Sequence, residues 1–440
     1  MKDLAFHYED TCGIDQQELE KLGQLLLPEI GRIQEALKTG YTSDYASINL
    51  PVDQLGVQKI QAVIQEKKAL QPTALVVIGI GGSNLGTLAV HEALYGKFYN
   101  EQQPAIKVYF ADTVDTDYIN DILLLVEQEF EKGHNVIFNV VSKSGSTIET
   151  IANVEIFLTL LRAYKKEDYY NYVVATTDKD SKLWKFAEKE RFTVLEIPHN
   201  VGGRYSVFSA VGLFPLGLID VDLKQLLNGA QSMIPSCLSE NMLANPAALS
   251  ALMLKNQYYG GKNIHDTFLF SVDLEGFGRW YRQLMGESIG KEYDRSGGRV
   301  HRGITPTVSL GSTDLHSVGQ LYLGGPADKV TTFISIEKSK SNLVVPRYDE
   351  FEKLVAHIQG KPLSSIMHAI SRGVQAAYKK RGLPFVEFQL PEKSSWHLGQ
   401  LMQCKMIEMM YLGFLLDINP FDQPEVELYK KETREILSHE

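Results

Sequence analysis

At 440 residues the chain exceeds what one compact core holds, and two or three domains are expected. Apolar residues make up 44% and charged residues 22%, ordinary for a globular protein that needs no disulfide staples. The 44 basic and 54 acidic residues give a formal net charge of −10, which argues against nucleic acid or anionic lipid as a partner and makes any anionic small substrate depend on a local cationic pocket.

Residues 1–65 carry helical patterning without strand signals and read as an N-terminal segment packed on the strand-bearing body of the chain. Ala74 to Ile80, Ile106 to Phe110, Val136 to Ser142, Tyr172 to Thr177 and Thr193 to Ile197 then read as strands. They are apolar runs bounded by turn signals, as in a parallel sheet buried on both faces, and each precedes a segment long enough for a crossover helix. Leu223 to Tyr259, rich in Leu, Ala and Met, reads as a helical connection. A second strand series comes at Thr267 to Val272, Thr305 to Leu310, Thr331 to Ile336 and Val386 to Leu390, and the tail is again helical. The reading is an α/β chain of two αβα sandwiches with mainly parallel sheets, at 66–222 and 261–420, joined by 223–260 and closed by a helical tail at 421–440.

Cys12, Cys237 and Cys404 form no Cys-x-x-Cys pair, which suits a reducing cytoplasm and offers neither a disulfide framework nor a zinc site. The N-terminus soon meets Glu9 and Asp10, without an apolar signal region. The apolar stretch Met409 to Leu416 falls far short of the about 20 residues that span a bilayer. A cytoplasmic protein with no membrane partner is expected. Among eleven histidines no His-x-x-x-His or paired acidic motif stands out, so no metal is expected.

Ligands of open parallel sheets bind beyond the carboxyl ends of strands, so the segments after each strand carry the chemistry. After the first comes Gly79-Ile80-Gly81-Gly82-Ser83-Asn84-Leu85-Gly86. Counted from Gly79, the sixth position is Asn84, so the dinucleotide spacing Gly-x-Gly-x-x-Gly fails and no nicotinamide cofactor is expected. A glycine loop that admits close ligand approach remains, with Ser83 at a helix start; a plain strand-to-helix turn fits equally well. After the third strand comes Ser142-Lys143-Ser144-Gly145-Ser146-Thr147. Ser146 and Glu149 have capping-box spacing, but a cap needs one hydroxyl and this loop has four and a lysine. Hydroxyls, free amides and a helix N-terminus together make a phosphate cradle, with Ser142, Lys143, Ser144 and Thr147 as donors. In Gly202-Gly203-Arg204-Tyr205-Ser206 two glycines aim a fixed cation; taken alone, this segment reads as a surface arginine after a turn. In Gly278 to Lys291 a helix is read to end at a capping Gly286, with Glu287 just beyond it and one turn from Gln283.

Taken in order, Gly-Ile-Gly-Gly-Ser-x-Leu-Gly, the Ser-Lys loop, Gly-Gly-Arg-Tyr-Ser, Met-Gly-Glu-Ser-x-Gly-Lys and Phe-Asp-Gln-Pro-x-Val-Glu-x-x-Lys resemble the glucose-6-phosphate isomerase family, built of two sugar-isomerase (SIS) domains. The likeness runs from about Gly79 to Lys430. It implies a cofactor-independent aldose–ketose isomerase of glycolysis and gluconeogenesis, acting on a hexose phosphate by ring opening and proton transfer through a cis-enediol. It also implies a homodimer with shared active sites. Gly82 and Ser83 with Ser142, Lys143, Ser144, Gly145, Ser146 and Thr147 would hold the phosphate, and Gln283 would touch the substrate. Glu287 would be the base and Arg204 the enediolate's counter-charge. His316, in Ser312-Thr313-Asp314-Leu315-His316, resembles the histidine given by the neighbouring subunit; it is expected at a helix N-terminus, biased towards neutrality. Lys430 would be its partner in ring opening or its electrostatic support, either of the two serving as the acid.

Three departures stand out. His199 occupies a position usually acidic or small and polar; Glu425 replaces a glycine; and Lys291 to Gly311 is longer than the family's pattern, which makes His301 a competitor of His316. Two other readings share the phosphate loop: a non-catalytic sugar-phosphate regulator on the same fold, and an isomerase of another hexose phosphate.

Overall fold

The computed structural model describes residues 2–439. Its strands, in chain order, are β1 (Ala5–His7), β2 (Pro72–Ile78), β3 (Lys107–Ala111) and β4 (Asn135–Val141). Then come β5 (Val173–Asp178), β6 (Thr193–Ile197), β7 (Ile264–Leu269) and β8 (Lys291–Tyr293). The last four are β9 (Arg299–Arg302), β10 (Thr305–Leu310), β11 (Lys329–Lys338) and β12 (Phe385–Glu392).

The chain forms two compact units, one of residues 31–231 and one of residues 2–30 with 232–439. The unit 31–231 holds a fully parallel sheet in the order β3-β2-β4-β5-β6. Leu75, Val76 and Val77 on β2 and Val136, Ile137 and Phe138 on β4 are all buried, as central strands covered on both faces must be. Phe138 packs against Phe157 of the crossover helix Ile148–Lys165 at 5.7 Å between ring centroids, the rings tilted by 40°. Two of its helices start on side-chain caps: Asp115 accepts from the Tyr118 N–H, and Ser181 from the Trp184 N–H at 3.0 Å. Successive strands β2 and β3 run to one side and β4 to the other, so the order reverses between β2 and β4. Ligands of such sheets sit at that switch.

In the unit of 2–30 and 232–439 the sheet order is β1-β12-β11-β7-β10, parallel but for the antiparallel edge strand β1. Its core is aromatic, with Phe268, Phe270, Phe333, Tyr378 and Phe385 packed together. The helix Ser395–Leu415 is buried over almost its whole length. The apolar run near Met409 is therefore core, and no described helix is long and apolar enough to cross a membrane. Lys405 sits fully buried in that helix because Glu408 accepts its ammonium at 2.6 Å and the Tyr281 hydroxyl bonds the same carboxylate.

One expectation needs correction: the N-terminal segment is not helical throughout, since β1 pairs with β12. In the Lys291 to Gly311 stretch β8 and β9 form an antiparallel hairpin outside the main sheet, turned at Gly297 with φ +86°.

Candidate active site

The unit 31–231 places two loops side by side at the β2/β4 switch. A Cβ built on Gly79 would lie 2.9 Å from the Val141 carbonyl, so the loops leave adjacent strand ends in contact. The third loop joins through backbone: a Cβ on Gly82 would lie 2.5 Å from Arg204 N and 2.6 Å from the Gly203 carbonyl. Only glycine at 82 permits that approach. Ser206 completes the joint by donating to the Gly203 carbonyl at 2.7 Å. Arg204 is consequently buried, at 2% exposure, with its guanidinium carbon 5.5 Å from the Tyr205 ring centre. The surface-arginine reading of its segment does not hold.

The Ser142 to Thr147 loop is stitched by its own hydroxyls. Buried Ser142 accepts from the Gly145 N–H at 3.2 Å and is hydrogen-bonded to the Thr147 hydroxyl at 3.0 Å. Exposed Ser144 accepts from both the N–H and the hydroxyl of Ser146 at 3.3 Å. The capping box expected at Ser146 and Glu149 is not formed. The cap residue is Thr147, its hydroxyl is turned to Ser142, and no side chain caps the helix Ile148–Lys165. A helix start without a side-chain cap suits an anion. Gly145 takes φ +67°, and a Cβ there would meet Leu183 Cβ at 2.8 Å.

Sequence reasoning missed the residues that hold this loop from β5. The Thr177 hydroxyl donates to the Ser142 carbonyl at 2.6 Å and approaches the Lys143 carbonyl at 3.3 Å. The Asp178 N–H donates to that same Lys143 carbonyl at 3.3 Å. Burial pushes the Lys143 ammonium below its usual range, Asp178 and Asp44 pull it back up, and Arg204 repels it. His199 lies 2.6 Å from the Asp178 carboxylate, so this departure from the family pattern belongs to the loop's surroundings. The position of Asp178 at a strand end was the one sequence signal available.

In the other unit, the helix Glu275–Ile289 lies close on its sheet through glycine. A Cβ on Gly278 would meet Val308 Cγ1 at 2.5 Å. The helix does not end at Gly286; it runs to Ile289, and Gly290 caps it by donating to the Gly286 carbonyl at 3.0 Å. Gly286 instead faces Pro306, where a Cβ would sit 3.7 Å from Cγ. Glu287 therefore stands in the last helical turn, and the Gln283 amide one turn earlier donates to its carboxylate at 2.9 Å. The other Gln283 amide atom, Oε1, is buried without a partner.

His316 ends a short turn, Thr313–His316, that folds over the carboxyl end of β10 with Asp314 accepting the Leu310 N–H at 2.7 Å. It lies at the carboxyl end of that turn and not at the helix N-terminus expected for it. Its side chain is exposed. Glu287 is at the other end of the same strand, since its helix runs back along β10 past Pro306 and its cap Gly290 abuts Gly303, where a Cβ would lie 3.2 Å from Gly290 Cα. The six residues of β10 separate the two ends by roughly 16 Å. His301, also exposed, is on β9 near the Glu287 end. Lys430 lies in the first turns of the helix Val426–His439 and pairs with Glu427 at 2.7 Å, which lowers the Glu427 pKa. Among the described residues no group of three or more His, Cys, Asp or Glu side chains is placed to hold a metal ion.

Comparison with known proteins agrees with these motifs. The phosphoglucose isomerase family pattern matches residues 63–440. The chain is 34% identical to a glucose-6-phosphate isomerase of Carboxydothermus hydrogenoformans over 89% of this chain and 84% of that one. It is 32% identical to a glucose-6-phosphate isomerase of Methanocaldococcus jannaschii, covering 97% of this chain and 98% of that one. A crystal structure of a hypothetical protein from Thermus thermophilus superposes with a TM-score of 0.87 at 32% identity, over 99% of both chains. The chain belongs to the phosphoglucose isomerase family.

Proposed function

We propose that the chain interconverts glucose 6-phosphate and fructose 6-phosphate by ring opening and proton transfer through a cis-enediol, with Glu287 lifting a proton from one sugar carbon and returning it to the next. The observation that carries this reading is the Gln283 amide bound to the Glu287 carboxylate. Fixing a carboxylate's rotamer before substrate arrives is what a base serving two adjacent carbons requires, and general-base catalysis of this kind contributes about 10²–10⁴-fold. A mere sugar-phosphate binder has no use for that arrangement.

The other roles follow from chemistry. Gly82 and Ser83 with the Ser142 to Thr147 loop bind the phosphate through amides, hydroxyls and Lys143. Arg204 cannot lose its proton, and it opposes the charge that develops on the enediolate. His316 and Lys430 move the proton that opens the ring. Hydrogen travels as a proton within one molecule, so the reaction consumes no redox cofactor. The distance along β10 between Glu287 and His316 supports a homodimer in which His316 serves the site of a second copy. The reaction belongs to glycolysis and gluconeogenesis, and the free, buried Cys12, Cys237 and Cys404 support a cytoplasmic setting.

The test is conversion of glucose 6-phosphate to fructose 6-phosphate by the purified chain without added cofactor, alongside Glu287→Gln. The wild type should turn over and the variant should lose at least about 10²-fold in kcat. An inactive wild type or a fully active variant overturns the reading.

A further inference from the structure

Lys291 comes directly after the Glu287 helix and is buried at 6% exposure. Its ammonium donates to the Glu287 carbonyl at 2.8 Å and to the Asp422 carbonyl at 2.6 Å, and it pairs with the Asp422 carboxylate at 3.1 Å. The Glu287 carbonyl is among the last of its helix, which lack partners within the helix and carry the negative end of its dipole. Asp422 stands in the turn that leads into the helix Val426–His439, which carries Lys430. One side chain thus joins the peptide of the proposed base to the turn that aims the proposed ring-opening lysine.

The rest of the β8–β9 hairpin repeats the attachment. The Glu292 N–H donates to the Glu425 carboxylate at 3.1 Å. Arg295 donates from its backbone to the Asp417 carbonyl at 3.1 Å and from Nε to the Ile418 carbonyl at 3.0 Å. The Arg302 guanidinium reaches the Leu416 carbonyl. These anchors all land between Leu416 and Glu425. Glu425, where the family pattern has glycine, supplies an acceptor that glycine lacks. The helix Val426–His439 itself buries no residue, so its own packing does little to fix its direction.

We infer that the β8–β9 hairpin is a brace for the Lys430 helix and that Lys291 is a positioning residue for the isomerisation, coupling Lys430 to Glu287. The inference rests on the roles proposed above for those two residues. Lys291 acts through them: its charge is met by Asp422 and its ammonium donates to the Glu287 and Asp422 carbonyls.

Lys291→Met keeps chain length and removes the ammonium, whereas Asp422→Ala keeps the carbonyl and removes only the half-exposed carboxylate. In the full-length enzyme, below the melting range of every variant, Lys291→Met should lower kcat about tenfold with KM within about twofold, because misplacement costs turnover before binding. Asp422→Ala should act in the same direction and less. In a Lys430→Ala background, Lys291→Met should cost less than about twofold more, the non-additivity of residues acting through one another. A wild-type kcat in Lys291→Met, an undiminished loss in the Lys430→Ala background, or a loss that follows the unfolded fraction overturns the brace. Should Lys291→Met fail to fold, the Asp422→Ala cycle with Lys430→Ala decides by the same criteria. Failure of the underlying reading looks different: Glu287→Gln or Lys430→Ala would then retain wild-type rates whatever Lys291 does.

Discussion

Glu287 and His316 stand at opposite ends of β10, one in the last turn of the helix packed along that strand and the other in the turn that caps its carboxyl end. In the function proposed above, His316 serves the site of a second copy. Co-expressed Glu287→Gln and His316→Ala chains should therefore recover activity, since a mixed dimer rebuilds one intact site from two damaged chains. Random pairing predicts about a quarter of wild-type activity in an equal mixture. Each variant alone should be nearly inactive. No recovery in purified mixed dimers would return His316 to its own subunit's site or remove it from catalysis.

Gly82 and Gly203 give a second prediction through their asymmetry. A Cβ on Gly82 drives into the Gly203–Arg204 backbone, whereas a Cβ on Gly203 finds its nearest neighbour, Gly82 Cα, at an ordinary 3.6 Å. Gly82→Ala should displace Arg204, raise KM for the sugar phosphate and lower kcat, with an overpacking cost of about 1–3 kcal/mol. Gly203→Ala should stay near wild type in both. Steady-state kinetics and melting curves of the pair check this, and equal effects would refute it.

The sheets were legible because their strands are apolar, β-branched runs between turn residues, and Thr193–Ile197 and Thr305–Leu310 match residue for residue. β1, β8 and β9 were not, being three or four residues long and carrying polar or charged side chains that give no alternation. Gly286 reads as a cap because glycine commonly ends helices, yet the helix runs on to Ile289 and Gly290 does the capping. The phosphate loop was visible in its hydroxyls, but the capping box misled, since the Thr147 hydroxyl prefers Ser142 to the helix amides. The burial of Arg204 depends on a contact with Gly82, and no local pattern carries a contact between distant segments.

Asp266 supplies a pH-dependent prediction on stability. It is fully buried, its Oδ1 accepts from Thr307, Ser309 and Tyr322, and its Oδ2 has no partner. Burial raises its pKa above the ordinary 3.8, and those hydrogen bonds only partly offset the rise. A carboxyl with a raised folded pKa binds its proton more tightly when folded. Its stabilising contribution is thus complete below the unfolded value near 3.8 and is lost as pH climbs through the folded value. Asp266→Asn removes that dependence, so its melting temperature relative to wild type should rise as pH climbs from 4 through the folded value and level off above it. A difference independent of pH would show that Asp266 ionises normally.

Thr177 tests whether the phosphate loop works by being held rather than by charge alone. Its hydroxyl is fully buried between the Ser142 carbonyl at 2.6 Å and the Ser181 hydroxyl at 2.8 Å, so valine at this position keeps the shape and leaves the loop's carbonyl unpaired. Losing one such buried bond costs about 1–3 kcal/mol. Part of that cost falls on the loop's geometry, because the same carbonyl pair, Ser142 and Lys143, sets where the amides beyond them point. Thr177→Val should accordingly raise KM for the sugar phosphate by roughly three- to tenfold and leave kcat within about twofold, the signature of lost uniform binding. Lys143→Met should also raise KM, but with a weaker dependence on ionic strength than wild type, because it removes a charge that salt screens. Thr177→Val should keep the wild-type salt dependence. If both variants changed it alike, the threonine would be acting through the lysine's charge and not through the shape of the loop.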